Sequence, residues 1–191
     1  LIGTQLISKG FHFPNLNCIV VLDIDLSSQG HDLRGAEKNL QLYHQLSGRA
    51  GREGKPATVY YQTYNINSDT ISKITNSDPF IFLEKELVLR KNNNLPPYER
   101  FISLILSSKK EEKLEEESIR LKEYLQKNIR GKILGPINAP IYKIRKNFRN
   151  RLLIRSSKNY KIQDSLSEAL KNFKFTKEIK LTVDVDPISF N

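Results

Sequence analysis

Arg49 and Arg52 stand three residues apart in "QLSGRAGR", Gln45 to Arg52, each directly after a glycine, Gly48 and Gly51. A guanidinium carries five N–H donors and no acceptor, so two of them on a loop call for carboxylate or phosphate oxygens. The glycines let the backbone come close to a ligand. That combination suits neutralisation of charge on a departing phosphoryl group, against the plainer reading of a solvated basic turn. A second cationic cluster runs through "APIYKIRKNFRNRLLIR", with Lys143, Arg145, Lys146, Arg149, Arg151 and Arg155. No Asp or Glu occurs between Tyr124 and Gln163. Such a surface repels itself unless phosphates lie on it, which points to nucleic acid. Tyr142, Phe148 and Tyr160 are interleaved with the cations, either to stack on bases or to pack in a core.

The whole chain supports a polyanionic partner. Its 191 residues hold 31 Lys and Arg against 21 Asp and Glu, a formal net charge of +10, which favours nucleic acid, or a membrane surface, over acidic small molecules. The excess is lopsided: residues 1–100 carry 11 basic and 10 acidic side chains, residues 101–191 carry 20 and 11. Between the halves, "KNNNLPPYER" suits neither helix nor central strand and places a boundary near Asn92 to Pro97. Cys18 is the one cysteine, so the chain alone builds neither a disulfide frame nor a cysteine zinc site; inside "NCIVVLDI" it reads as a buried small hydrophobe. No apolar run approaches the roughly 20 residues of a membrane span, and no basic stretch with an apolar region opens the chain. The expectation is a soluble, cytoplasmic protein with no membrane partner. Leu1 and the absence of methionine suggest an internal-to-C-terminal piece of a longer polypeptide.

The elements that position these residues follow from periodicity. In the first half, "LIGTQ", "NCIVVLDI" and "ATVYYQTY" read as strands, and "RGAEKNLQLYHQL" as a helix with Ala36, Leu40 and Tyr43 at helical spacing. Strand, helix, strand implies an α/β unit with a parallel sheet and right-handed crossovers. Ligands gather at the carboxyl ends of such strands, whereas the Arg49 loop follows a helix and is placed to face a neighbouring lobe. In the second half, "FISLILSS" is a strand. "KEEKLEEESIRLKEYLQK" is a helix with Leu114, Leu121 and Leu125 on one stripe and Glu116–Arg120 and Glu123–Lys127 pairs on its solvated face. "APIYKIRK" and "RNRLLIR" form a hairpin in which Lys143 and Arg145 share one strand face and Arg149, Arg151 and Arg155 share another. "KIQDSLSEALKNFK" is a second helix, and "EIKLTVDVD" a last strand with Leu181, Val183 and Val185 facing one way. The order βαββαβ is a split βαβ plan, which hosts many functions.

"QLSGRAGR" resembles the sixth motif of superfamily 2 helicases, and "GTQLISKGFHFPNL" the fifth. With "VVLDIDL", "DLRGAEKNLQLYHQ", "ATVYYQTYN", "LPPY", "GPINAPIYKIRKNFRNRLLIR" and "VDVDP" in order, essentially the whole chain is similar to the bacterial primosomal protein N-prime family of replication-restart DNA helicases. The resemblance implies that residues 1–66 end a second RecA-like lobe, 67–97 are a helical connection and linker, and 98–191 are a small α+β C-terminal domain like a ribosomal small-subunit protein. ATP and Mg²⁺ would bind in a cleft shared with a first lobe. Arg49 and Arg52 would reach the γ-phosphate as arginine fingers, with Gln45 and Gly48 at the nucleotide. Thr4, Lys9 and Gly10 would lie near single-stranded DNA, and Lys143, Arg145, Lys146, Arg149 and Arg151 would contact DNA from the C-terminal domain. His12 stands where many relatives outside this family carry Asp, and its role is left open. The chain has no G-x-x-x-x-G-K-[ST] loop and no D-E-x-H pair. The resemblance puts these, and a zinc module, in an upstream part and makes the present chain inactive alone. It further implies 3′ to 5′ unwinding, with forked DNA, single-stranded DNA-binding protein and other primosome proteins as partners. Two other classes stay open: a noncatalytic nucleic-acid-binding module, and a docking domain for an acidic peptide tail.

Overall fold

The computed structural model describes residues 2–4, 16–24, 34–47, 58–67 and 78–188, and divides into two compact units, Leu1–Glu86 and Leu87–Asn191. In the first, β1 (Cys18–Val21) and β2 (Thr58–Tyr61) pair in parallel, Cys18 opposite Thr58 through Val21 opposite Tyr61. Parallel strands need a long crossover, and α1 (Gly35–Ser47) lies within it. Leu40 and Tyr43, three residues apart on α1, are buried with Ile24 and with Phe82 of α2 (Pro79–Asn92). The Tyr43 ring meets Tyr61 edge-on at 5.1 Å. The Asp78 carboxylate accepts the Phe80 N–H at 2.8 Å and so starts α2.

Two expectations for this unit are corrected. β1 is not a strand buried on both faces, and Cys18 is exposed. Val21 and Tyr61 pack toward the α1 cluster, but Val20 and its partner Tyr60 are each 57% exposed, so the side of β1 that carries Cys18 and Val20 has no such cover. An unbroken run of β-branched residues marks a strand covered twice only where a second layer exists. Ile2, Gly3 and Thr4, from the first expected strand, are exposed and in neither helix nor strand.

The second unit has the order expected from its periodicities: β3 (Glu99–Ser108), α3 (Glu111–Asn128), β4 (Lys132–Ile144), β5 (Asn147–Ser157), α4 (Ile162–Asn172) and β6 (Lys180–Val185). The sheet runs β4-β5-β3-β6, with every neighbouring pair antiparallel. Ile102, Leu104 and Leu106 of β3 and Leu152 and Ile154 of β5 point to one face, where Leu114, Leu121 and Leu125 of α3 and Ile162, Leu166 and Ala169 of α4 cover them. Leu104, Leu106, Leu114, Leu121, Leu125 and Leu152 are all at 0% exposure, so one apolar layer holds both helices to the sheet. Leu181, Val183 and Val185 face the same way from β6, though both valines stay exposed at this edge.

On α3, Arg120 pairs with Glu117 three residues before it, at 2.7 Å, instead of Glu116. Glu117 is buried, and its carboxylate also accepts the Thr176 N–H at 3.0 Å and the Thr176 hydroxyl at 3.1 Å. The carboxylate thereby ties the connection after α4 to α3. Burial pushes the Glu117 carboxyl up, but the Arg120 and Thr176 donors outweigh it and hold the group below its ordinary value.

Candidate nucleic-acid interface

Strand register decides which cations share a surface. Opposite the helix layer, Lys180, Ser107 and Arg149 lie side by side across β6, β3 and β5, and Thr182, Ile105, Arg151 and Ile137 form the next row. Arg155 stands between Phe101 and Lys132 on the same face. Five cations therefore project from this side, accompanied by the acids Glu99 and Asp184. Arg149, Arg151 and Arg155 share a face as expected.

Each arginine is positioned differently. The Arg149 guanidinium donates to the Ile141 carbonyl at 3.3 Å, across the irregular stretch where β4 runs Asn138 to Lys143 against Asn150 to Phe148 of β5. Arg151 is half-buried between Ile105 and Ile137, and desolvation pushes its pKa down, although a guanidinium remains charged in a protein. The β4 backbone can pass this close only because of Gly135: at φ +97°, a Cβ there would sit 2.6 Å from the Arg151 carbonyl oxygen. Arg155 pairs with Glu99 at 3.0 Å. Lys132 and Lys180 are exposed and add cations from outside the basic stretch of residues 143–155.

The hairpin itself differs from the expected one. Lys143 pairs with Phe148 and Ile144 with Asn147, so Arg145 and Lys146 are the turn and Arg145 does not share a strand face with Lys143. Both turn residues are left-handed, Arg145 at φ 47° and Lys146 at φ 68°, a backbone that costs a residue with a Cβ about 1–2 kcal/mol each. The Lys143 ammonium sits 4.3 Å from the centre of the Phe148 ring, away from the face that carries Arg149 and Arg151. The five hairpin cations thus divide between a turn, a ring contact and one sheet face.

The interleaved aromatics belong to the framework. Tyr142 packs on Phe148 at 5.5 Å and donates to the Glu111 carboxylate, a bond that with burial and nearby acids pushes its hydroxyl up to about 12. Phe148 and Tyr160 pack against the core, and the Tyr160 hydroxyl hydrogen-bonds Ser165 at 2.8 Å. The face opposite the helices therefore presents guanidinium, ammonium and aliphatic groups, and these rings are committed within the unit.

In the first unit, Thr4 is exposed, and Gln45 is exposed near the end of α1. Gln45 lines a cleft of about 340 Å³ with Glu37, Leu40, Gln41, His44, Pro79 and Leu83. Lys9, Gly10, His12, Gly48, Arg49 and Arg52 lie outside the described residues. No group of three or more candidate metal-ligating side chains occurs among the described residues, and no helix there is long and apolar enough to cross a membrane.

Two families match the chain: the helicase conserved C-terminal domain over residues 1–54, and the primosomal protein N C-terminal domain over residues 91–188. Its relatives include the replication restart protein PriA of Rickettsia conorii, 39% identical over 191 residues and all of this chain. The protein of the same name is 34% identical over 99% of the chain in Borreliella burgdorferi and 32% identical over 98% in Bacillus subtilis. The chain spans 29%, 29% and 24% of the lengths of these relatives.

Proposed function

Because the chain belongs to the primosomal protein N C-terminal-domain family, we propose that it acts in replication restart, as the DNA-contacting and nucleotide-sensing end of an ATP-dependent helicase. The observation that carries this reading is the sheet face on which Lys132, Arg149, Arg151 and Lys180 converge from three strands, β4, β5 and β6, while the helices cover the other side. The order of a helicase-type segment before this domain supports the motor half of the proposal. In that half, Arg49 and Arg52 present positive charge to the γ-phosphate of ATP bound with Mg²⁺, beside Gln45 and Gly48. Gln45 fits such a place, since its exposed amide both donates and accepts hydrogen bonds. ATP supplies the free energy of unwinding, 3′ to 5′, and Thr4, Lys9 and Gly10 couple it to the single strand. Zinc belongs to another part of the full-length protein.

The sheet face is tested by salt. Roughly three phosphate contacts predict a slope of log K against log salt of about −2 to −3, independent of sequence, because each neutralised phosphate releases condensed counterions. Arg149→Gln with Arg151→Gln should flatten that slope by about one to two units. The thermal midpoint should fall modestly, since Arg149 holds the Ile141 carbonyl and Arg151 is half-buried. An unchanged slope in the folded variant removes this face from DNA binding. Leu134 and Ile137, exposed beside the arginines, favour one other occupant, an acidic peptide with apolar side chains. Such a peptide would displace DNA in competition. Single-stranded DNA-binding protein and other primosome proteins complete the proposed set of partners.

A further inference from the structure

The β4–β5 hairpin closes on residues that its own backbone disfavours. A two-residue turn with both φ angles positive is ordinarily Asn-Gly, Asp-Gly or Gly-Gly, because those residues adopt the left-handed region with least strain. Here the positions hold Arg145 and Lys146. Strain kept in a native structure points to a function that needs those side chains. Both residues are exposed, and among the described ion pairs neither takes part.

The residues around the turn anchor the ribbon and leave its end available. Lys143 is engaged with Phe148, Tyr142 with Glu111, and Arg149 with the Ile141 carbonyl. Ile141 and Ile144 flank the turn as exposed aliphatic side chains. The tip therefore offers two long cations and two aliphatic groups, with its nearest rings committed to the hairpin base. Non-specific single-strand sites combine basic grooves with stacking rings, and this tip lacks the second component. A duplex major groove, about 12 Å wide, admits a two-stranded ribbon and is bordered by phosphates on both sides.

We propose that the Ile144–Asn147 tip enters the major groove of a DNA duplex, Arg145 and Lys146 reaching flanking phosphates while Ile144 lies against sugar or base edges. The assignment rests on the DNA reading of this domain and adds a contact separate from the sheet face. It makes the tip a duplex-selective, sequence-neutral element.

The test uses the 191-residue chain, a short blunt duplex and an oligothymidylate of the same length. Arg145→Asn with Lys146→Gly removes both charges and supplies the residues this turn prefers. Duplex affinity should fall roughly tenfold or more near 0.1 M salt, with a slope about two units flatter, while oligothymidylate affinity changes less than about threefold. The thermal midpoint should rise, because the strain is relieved. Arg145→Gln with Lys146→Gln keeps side chains at both positions and should lose duplex affinity similarly, which separates charge from turn geometry. Duplex affinity within about twofold of the parent for both variants would overturn the proposal and leave the sheet-face reading standing. Equal losses on both DNAs would overturn groove entry in favour of general attraction. A parent chain that binds neither DNA would overturn the DNA reading itself, and this inference with it.

Discussion

Replacing Arg52 with Ala in the complete helicase that the proposal requires is expected to cut DNA-stimulated ATP turnover by about 10³-fold or more, the scale of an arginine finger. The guanidinium would act where charge develops on the phosphoryl oxygens, so its loss falls on turnover and leaves nucleotide affinity nearly intact. On that proposal stability should change little, because a guanidinium committed to a phosphate holds no core. Arg49→Ala should have the same effect or a milder one. ATP turnover with DNA, nucleotide affinity and thermal unfolding, measured on the same preparations, separate these possibilities. Turnover of Arg52→Ala within a few-fold of the parent would assign the loop to a solvated basic turn.

The next largest effect is structural. Glu117 accepts four hydrogen bonds, two from Arg120 and two from Thr176, in a buried place. Glu117→Ala removes the charge-assisted bonds from the Thr176 N–H and hydroxyl, of a kind worth about 1.5–3 kcal/mol each, and because Thr176 is exposed, water takes up part of that loss. Arg120 keeps its bond to the Lys174 carbonyl, at 2.7 Å, so its loss is partial. The expected sum is about 2–3 kcal/mol, or a fall of about 10–20 °C in the unfolding midpoint of a domain this size. The sign with pH follows from the lowered carboxyl. Its contribution is fully present above the ordinary value of 4.5 and is lost as pH falls through the lower folded value. Stability of the parent should therefore drop in acid more steeply than that of Glu117→Gln. Parallel acid limbs for the two proteins would show that the carboxylate carries no net stabilisation.

Local periodicity is enough to place α3, α4 and β3, because Leu114, Leu121 and Leu125 recur on one helical stripe and Ile102, Leu104 and Leu106 recur at the period of a strand. It failed where neighbours in space decide. Cys18 reads as buried from its own run, yet the cover of β1 depends on layers its residues do not specify. Arg145-Lys146 contains none of the usual turn residues, so only the Lys143–Phe148 and Ile144–Asn147 pairing locates the turn.

The acid-free stretch from Tyr124 to Gln163 has a similar limit. Register brings Glu99 to Arg155 and packing brings Glu111 to Tyr142, both from outside that stretch. Lys180 joins the basic face for the same reason, through Ser107 of β3. By contrast, the spacing of Gln45, Gly48, Arg49 and Arg52 is legible without any structure, because the whole pattern lies within eight consecutive residues.

The DNA face can be located by titrating the nitrogen-labelled 191-residue chain with a short duplex at low salt and following amide and arginine side-chain resonances. Lys132, Arg149, Arg151 and Lys180 should shift together and saturate at one affinity, while resonances of the buried stripe at Leu114, Leu121 and Leu125 stay in place. Shifts confined to α3 and α4, or no shifts at DNA concentrations that saturate binding, would contradict a nucleic-acid interface on this side of the sheet.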